Sequence, residues 1–87
     1  MAKQTYAKFV KVGQICGGNW RRGTGSQWAL VTGVEVGEEE TKITVRMSQR
    51  HGNHVATKTI KNSKIVNVQE FEDFKKWLAM YDIKDFY

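Results

Sequence analysis

The spacing of the apolar residues changes once along the chain, at about residue 68, and this change restricts the fold more than any other feature. From Phe9 to Val68 the apolar side chains mostly alternate with polar ones, among many Val, Ile and Thr residues, as in half-buried strands. From residue 68 to residue 81 they recur at three- and four-residue intervals, which is the spacing of an amphipathic helix. The sequence therefore predicts an α+β protein with a β-rich body and a C-terminal helix.

Five strands are predicted in the body. They cover about residues 8–16, 28–36, 41–50, 54–62 and 64–68, and the glycine-rich segment 16–27 forms an extended loop. Gly13 predicts a bulge or bend within the first strand. The Gly-Asn step at residues 52–53 predicts a hairpin turn, so the third and fourth strands should pair antiparallel.

Alternation within two of these strands predicts which side chains face the core. In the 28–36 strand, Trp28, Leu30, Val34 and Val36 share one face. In the 41–50 strand, one face carries Ile43, Val45 and Met47, and the other carries Lys42, Thr44, Arg46, Ser48 and Arg50. Each strand is therefore expected to have one buried and one exposed face.

The helix is predicted over residues 68–81. Its apolar stripe contains Phe71, Phe74, Trp77, Leu78 and Tyr81. Asn67 and Glu70 have the spacing of a capping box, and Glu70, Glu72 and Asp73 suit the positive end of a helix dipole. The helix is expected to close an open end or face of the sheet.

Length and composition favour a single domain over residues 1–87, with an arm at 1–7, a barrel at 8–68, the helix at 68–81 and a tail at 82–87. Cys16 has no second cysteine to pair with, and the start of the chain lacks a signal peptide's apolar run. We therefore expect a cytoplasmic protein. A membrane span is excluded because no stretch approaches about 18 uninterrupted apolar residues.

The order of these elements resembles small SH3-like β-barrels of the KOW and Tudor kind. The resemblance covers residues 9–68: VGQICGG comes early, a long loop follows, and WALVTGVEV, TKITVRM and VATKTI occupy successive strands. It implies a five-stranded barrel or a small curled antiparallel sheet. It also implies a non-catalytic binding module for nucleic acid, protein tails or a transcription-related partner, and such barrels serve many ligands.

The positive charge is concentrated in the β-rich body. The formal net charge is +5, which divides into +7 over residues 1–69 and −2 over residues 70–87. Residues 41–69 contain six basic side chains and no acidic one. A basic ribbon is predicted on the exposed face of the third and fourth strands, with Lys42, Arg46, Arg50, Lys58 and Lys61 as phosphate contacts. An ordinary solvated sheet face is the alternative.

The glycine-rich loop carries Trp20 next to Arg21 and Arg22. On a flexible loop, the indole can stack on a base or insert at a groove while the two guanidinium groups bind phosphates. The alternative is that Trp20 folds back as a lid over a thin core. The segment 22–26 lacks the spacing of a phosphate-binding P-loop, so nucleotide hydrolysis is not predicted.

No metal, cofactor, catalytic set or small-molecule substrate is predicted. Cys16, His51 and His54 make three ligands at most, whereas a structural zinc site usually has four. Cys16 is more consistent with a small buried residue. The carboxylates cluster in the turn at residues 38–40 and along the helix, where solvation and capping explain them.

These features predict a non-enzymatic protein that binds nucleic acid through the phosphate backbone with low sequence specificity. Double-stranded DNA is favoured over RNA, because the signal is charge and not an aromatic platform for RNA bases. The alternative is a small protein-binding modulator of a polymerase, nuclease or other host enzyme, similar to accessory proteins of bacteriophages and mobile elements. Its surface would be the C-terminal tail, with Ile83, Phe86 and Tyr87.

Overall fold

The computed structural model describes residues 3–20, 25, 27–47 and 54–81. Within them the elements are β1 (Lys3–Tyr6), a 3₁₀ turn (Ala7–Phe9), β2 (Gln14–Gly18), β3 (Gln27–Val36), β4 (Glu40–Arg46), β5 (Val55–Lys61), β6 (Ile65–Glu70) and α1 (Phe71–Met80). The strands form one antiparallel sheet in the order β1-β6-β2-β3-β4-β5. A small antiparallel sheet with a C-terminal helix was predicted, and that much is confirmed.

β1 is the strand that the sequence prediction missed, because residues 1–7 were assigned to an arm. It pairs with β6, so that Lys3 lies opposite Val68 and Tyr6 lies opposite Ile65. Its sequence, KQTY, has no apolar alternation, and none of its side chains is fully buried. Pairing with β6 therefore defines this strand, and the described sheet has six strands where five were expected.

The predicted first strand, 8–16, is instead a turn followed by a shorter strand. Residues 7–9 form the 3₁₀ turn. Gly13 has a φ of 94°, which residues with a Cβ rarely adopt. Its N–H donates to the carbonyl of Val31 at 3.0 Å. Gly13 therefore lies in a turn before the strand and not in a bend within it. β2 starts directly after it at Gln14 and continues to Gly18, so residues 16–18 belong to a strand and not to the predicted loop 16–27.

The predicted face of β3 is correct for Trp28 and Leu30, which share one face, and wrong for Val34, which packs against the main core. Ala29 and Val31 are buried in the main core, while Leu30 and Trp28 pack on the opposite face beneath α1. The pairing register with β4 shifts between Val31 and Gly33, so the alternation changes parity there. Because both faces are covered at one end and a bulge interrupts the strand, simple alternation does not describe it.

The predicted faces of β4 are confirmed over the described residues. Ile43, Val45 and Met47 are all 0% exposed. β4 pairs antiparallel with β5 as expected, and the N–H of Met47 donates to the carbonyl of His54 at 2.7 Å. The predicted turn at 52–53 lies outside the described residues.

The main core lies on the concave face of the sheet. Its buried residues are Ala7, Val10, Cys16, Trp20, Ala29, Val31, Ile43, Val45, Met47, Ile60, Val66 and Val68. The 3₁₀ turn contacts both β4 and β5, and the N–H of Ala7 donates to the carbonyl of Lys64 at 2.9 Å. In the sheet, three strands separate β5 from β6. Ile60 of β5 and Val66 of β6 nevertheless belong to the same core, so the sheet is curled.

The helix covers the other face and begins three residues later than predicted. Residues 68–70 pair with β2, and this pairing keeps them in the sheet. The capping box is also wrong, because Asn67 lies in β6 and the N-cap, Glu70, makes no side-chain cap hydrogen bond. Phe74 and Leu78 pack on Ile15 to form a second, smaller core. In the described part of the chain, no helix has the length and apolar character needed to cross a membrane.

Candidate nucleic-acid interface

Lys42 and Arg46 project together from the exposed face of β4, as predicted. The register places Lys42 opposite Thr59 and Arg46 opposite Val55, with a Thr44–Thr57 pair between them. The hydroxyl oxygens of that threonine pair lie 3.2 Å apart. We call this surface the outer strand face; it is the face on which α1 packs further along the sheet.

The outer strand face also carries acidic residues. Glu35 of β3 lies directly opposite Lys42, and Glu40 of β4 lies directly opposite Lys61. Directly opposed side chains in an antiparallel pair have Cβ atoms about 4.5 to 5.5 Å apart, so each glutamate is the cross-strand neighbour of its lysine. The acid-free segment 41–69 is therefore not an acid-free surface, and acidic residues interrupt the predicted basic ribbon.

Lys58 does not belong to this face. It lies opposite Ile43, whose side chain is buried on the concave side of the sheet. Its Nζ donates to the backbone carbonyl of Asn19 at 3.3 Å. Lys58 therefore extends from the curled edge of β5 towards the end of β2, away from Lys42 and Arg46.

A groove lies where β5 approaches the diverging ends of β2 and β6. We call it the seam groove; its volume is about 360 Å³, and it is lined by Gly17, Gly18, Asn19, Trp20, Gln27, Trp28, Lys58, Ile60, Lys64, Ile65, Val66 and Asn67. Lys58 and Lys64 supply two positive charges, and none of these lining residues is acidic. A shallower depression, also lined by Lys61, shares Lys58, Ile60 and Lys64 with the groove.

Two glycines shape the wall of the seam groove. A Cβ built on Gly17 would lie 3.3 Å from the Trp28 ring, and one built on Gly18 would lie 3.3 Å from the Trp20 ring. Both contacts would be tight, so the missing side chains let an indole ring lie close to the β2 backbone on each face. The groove therefore has two aromatic residues beside the half-buried end of β2.

Trp20 occupies the core, which is the lid alternative of the sequence analysis. Only 8% of the residue is exposed, and its Nε1 donates to the carbonyl of Cys16 at 3.0 Å. A buried, hydrogen-bonded indole has no free face on which a base can stack. Trp28 is half-buried and is the more accessible of the two rings beside the groove.

Sequence reasoning missed Lys64, Asn19 and Asn67 as lining residues. Lys64 follows the turn after β5, and its N–H donates to the carbonyl of Lys61 at 3.0 Å. The available signal was the three-residue spacing of Lys58, Lys61 and Lys64 within the acid-free segment. Asn67 was instead interpreted as a helix cap.

Arg21, Arg22 and Arg50 lie outside the described residues, as does His51. The tail residues Ile83, Phe86 and Tyr87, predicted as a protein-binding surface, also lie outside them. Within the described ranges, no group of three His, Cys, Asp or Glu side chains is placed to hold a metal ion. Cys16 is fully buried, and burial raises the pKa of its thiol to about 11. The neutral thiol is a small core residue, and it is a poor nucleophile because the reactive form is the thiolate.

A charged cluster at the junction of β6 and α1 has a structural explanation. Gln14 Nε2 donates to Glu70 Oε1 at 3.0 Å, and Lys3 Nζ lies 3.5 Å from the same oxygen. The hydrogen bond from Gln14, followed by the positive charge of Lys3, lowers the pKa of the Glu70 carboxyl. These contacts fasten β1, β2 and β6 together at the start of the helix.

Searches of protein-family models, curated proteins and solved structures give no match to this chain. What the interface binds is therefore inferred from its own residues.

Proposed function

We propose that this protein is a non-catalytic, cytoplasmic nucleic-acid-binding module that contacts the phosphate backbone with low sequence specificity. Double-stranded DNA is the first ligand to test. The curled sheet with its concave core supports a fold of the SH3-like barrel type, in which the seam between β5 and β6 is the binding edge. That fold type is part of the proposal.

The observation that carries the proposal is the charge around the seam. Lys58 and Lys64 line the same groove, Lys61 lines the adjoining depression, and the lining of the groove and that of the depression contain no carboxylate. Glu40 lies opposite Lys61, so the charge of Lys58 and Lys64 in the groove carries most of the proposal. Lysines attract polyanions, and counterion release from the phosphates drives binding.

The remaining predicted contacts take different places in this proposal. Lys42 and Arg46 form a secondary contact on the outer strand face, weakened at Lys42 by Glu35. Arg21, Arg22 and Arg50 stay predicted phosphate contacts from the sequence. Trp20 no longer belongs to the contact set, because its ring is buried.

The experiment measures duplex DNA binding by fluorescence anisotropy across a salt series. The test variant is Lys58→Ala with Lys64→Ala, and the matched control is Lys75→Ala with Lys76→Ala on α1, which removes the same charge. Each lost phosphate contact should reduce the slope of log K against log salt by about 0.9. The slope of the groove variant should therefore be smaller than that of the wild type by about 1.8, while the control should keep the wild-type slope.

Two outcomes contradict the proposal. One is binding that does not weaken as salt increases, and the other is an equal loss in the groove and helix variants. The second would mean that net charge matters and position does not. Circular dichroism of each variant confirms that a loss of binding is not a loss of folding.

A second candidate function is supported by exposed apolar side chains at the end of α1. Trp77, Met80 and Tyr81 are 44, 75 and 62% exposed, and the Trp77 and Tyr81 rings lie 5.1 Å apart. Such a patch is typical of protein contacts. The tagged protein would then retain a partner enzyme after nuclease digestion and lose it on Met80→Ser with Tyr81→Ser. A partner that disappears on digestion is bridged by nucleic acid.

A further inference from the structure

We propose that the seam groove accepts one unpaired nucleotide of a DNA strand, with its phosphate at Lys58 and Lys64. This inference rests on the proposed function and adds a preference to it. DNA that contains an unpaired base should bind more tightly than a fully paired duplex of the same length.

The size of the groove matches a single nucleotide and not a DNA double helix. Its volume, about 360 Å³, is near the lower end of the range of about 300 to 1,000 Å³ found for ligand pockets. A base pair within a duplex cannot enter such a space, because each base must first leave the stack. A base in a bulge or at a strand end is already outside the stack, so the free-energy cost of unstacking it is small.

The lining chemistry also matches a nucleotide. Trp28 supplies apolar surface for the face of a base, and Asn19 and Asn67 supply amide groups for its polar edge. Base–aromatic stacking tolerates every base because each has a π-face. Amides both donate and accept hydrogen bonds, so the groove should bind a base without strong sequence preference.

The two lysines are placed for the phosphate that accompanies the base. Lys58 Nζ is held at the groove by the carbonyl of Asn19, at 3.3 Å. The backbone of Lys64 makes two hydrogen bonds: its carbonyl accepts from the N–H of Ala7, and its N–H donates to the carbonyl of Lys61. Its backbone is therefore anchored, while its exposed side chain is available to an anion.

The test compares three DNA duplexes with the same flanking sequence: fully paired, with a single-base bulge, and with an abasic site at the bulge. The abasic duplex keeps the extra phosphate and bend but lacks the base. We expect the bulged duplex to bind about tenfold more tightly than the other two. Free deoxyadenosine monophosphate, as a fourth ligand, tests whether the nucleotide must belong to a strand; it should bind far more weakly.

Tryptophan fluorescence locates the base. In a Trp77→Phe background, the remaining indoles are Trp20 and Trp28, which both line the groove. The bulged duplex should change their emission, and the abasic duplex should not. The variant Asn19→Ala with Asn67→Ala should lose the preference for the bulge while keeping its affinity for the paired duplex.

The failures of the two proposals are distinguishable. Equal affinity for all three duplexes, with the salt dependence intact, overturns the nucleotide site and leaves backbone binding standing. Equal gains for the bulged and abasic duplexes also overturn it, because the bend and not the base is then recognised. Mononucleotide binding as tight as bulge binding would assign the groove to a free ligand. Absence of binding to every DNA overturns both proposals.

Discussion

Replacement of Trp20 by phenylalanine tests whether this indole is part of the fold or of a binding surface. Trp20 is 8% exposed, packs in the main core, and donates its Nε1–H to the carbonyl of Cys16 at 3.0 Å. The variant keeps an aromatic ring but removes the donor and part of the buried volume. A structural role therefore predicts a stability loss of calculable size.

Two contributions determine that loss. The missing hydrogen bond costs about 1 kcal/mol, because the Cys16 carbonyl loses the indole as a buried partner. The smaller ring leaves a volume on the order of 40 Å³, which at about 24 cal/mol per Å³ costs about 1 kcal/mol more. A total of about 2 kcal/mol corresponds to a Tm lower by roughly 8 to 16 °C for a domain of this size.

The assay is urea unfolding and thermal melting followed by far-ultraviolet circular dichroism. Trp77→Phe is the matched control: its ring is 44% exposed on α1, so we expect a change below about 0.5 kcal/mol. The reasoning is refuted if both variants are equally stable. It is refuted more sharply if Trp20→Phe melts like the wild type and yet loses DNA binding, since Trp20 would then be a contact residue.

Three further predictions concern other parts of the fold. Gly37→Ala should lower the free energy of unfolding by about 1 to 3 kcal/mol, since the added Cβ would lie 2.8 Å from the backbone oxygen of Glu40. In Gly33→Ala the added Cβ meets nothing closer than 3.5 Å, so urea unfolding should show nearly wild-type stability. Because the folded-state pKa of Glu70 is lowered, its carboxylate stabilises the protein above its unfolded pKa of about 4.3, and this contribution is lost as pH falls through the folded value. The variant Glu70→Gln should therefore have a lower Tm than the wild type at pH about 7 and the same Tm as the wild type at strongly acidic pH. Cys16, whose buried thiol has a raised pKa, should resist iodoacetamide in the native protein and react in urea, as followed by mass spectrometry.

The sequence predicts the parts of the fold in which one face is buried and the other is exposed. β4 is such a strand, and its alternation correctly identifies Ile43, Val45 and Met47 as core. β3 is not, because the main core covers one face, α1 covers the other near Trp28, and a bulge changes the parity. Alternation carries no information where both faces are buried.

Element ends depend on long-range pairing and are less visible in the sequence. Val68 fits both the strand period and the helix period, and it remains in β6 because it pairs with Cys16 on one side and Lys3 on the other. β1 likewise exists through its pairing with β6. Local spacing predicts that a helix follows the sheet, but tertiary contacts decide that it starts at Phe71.

The candidate site shows the same limit for charges. The sequence identifies Lys42, Arg46, Lys58 and Lys61 as a group because residues 41–69 contain no acid. Surface neighbours are set by strand register, which places Glu35 beside Lys42 and sends Lys58 to the opposite face. A one-dimensional run of basic residues therefore does not predict which charged side chains share a surface.

The seam groove is a consequence of how β6 changes its neighbour. It pairs with β1 from Ile65 to Val68 and with β2 from Val68 to Glu70, so Val68 is paired on both sides. Beyond that point β2 continues as Gly17 and Gly18, which pair with β3 and leave their other edge towards the groove. Longer pairing between β2 and β6 would add backbone hydrogen bonds but would close the groove. If the groove binds a nucleotide, the short pairing is a loss of stability that the binding site requires.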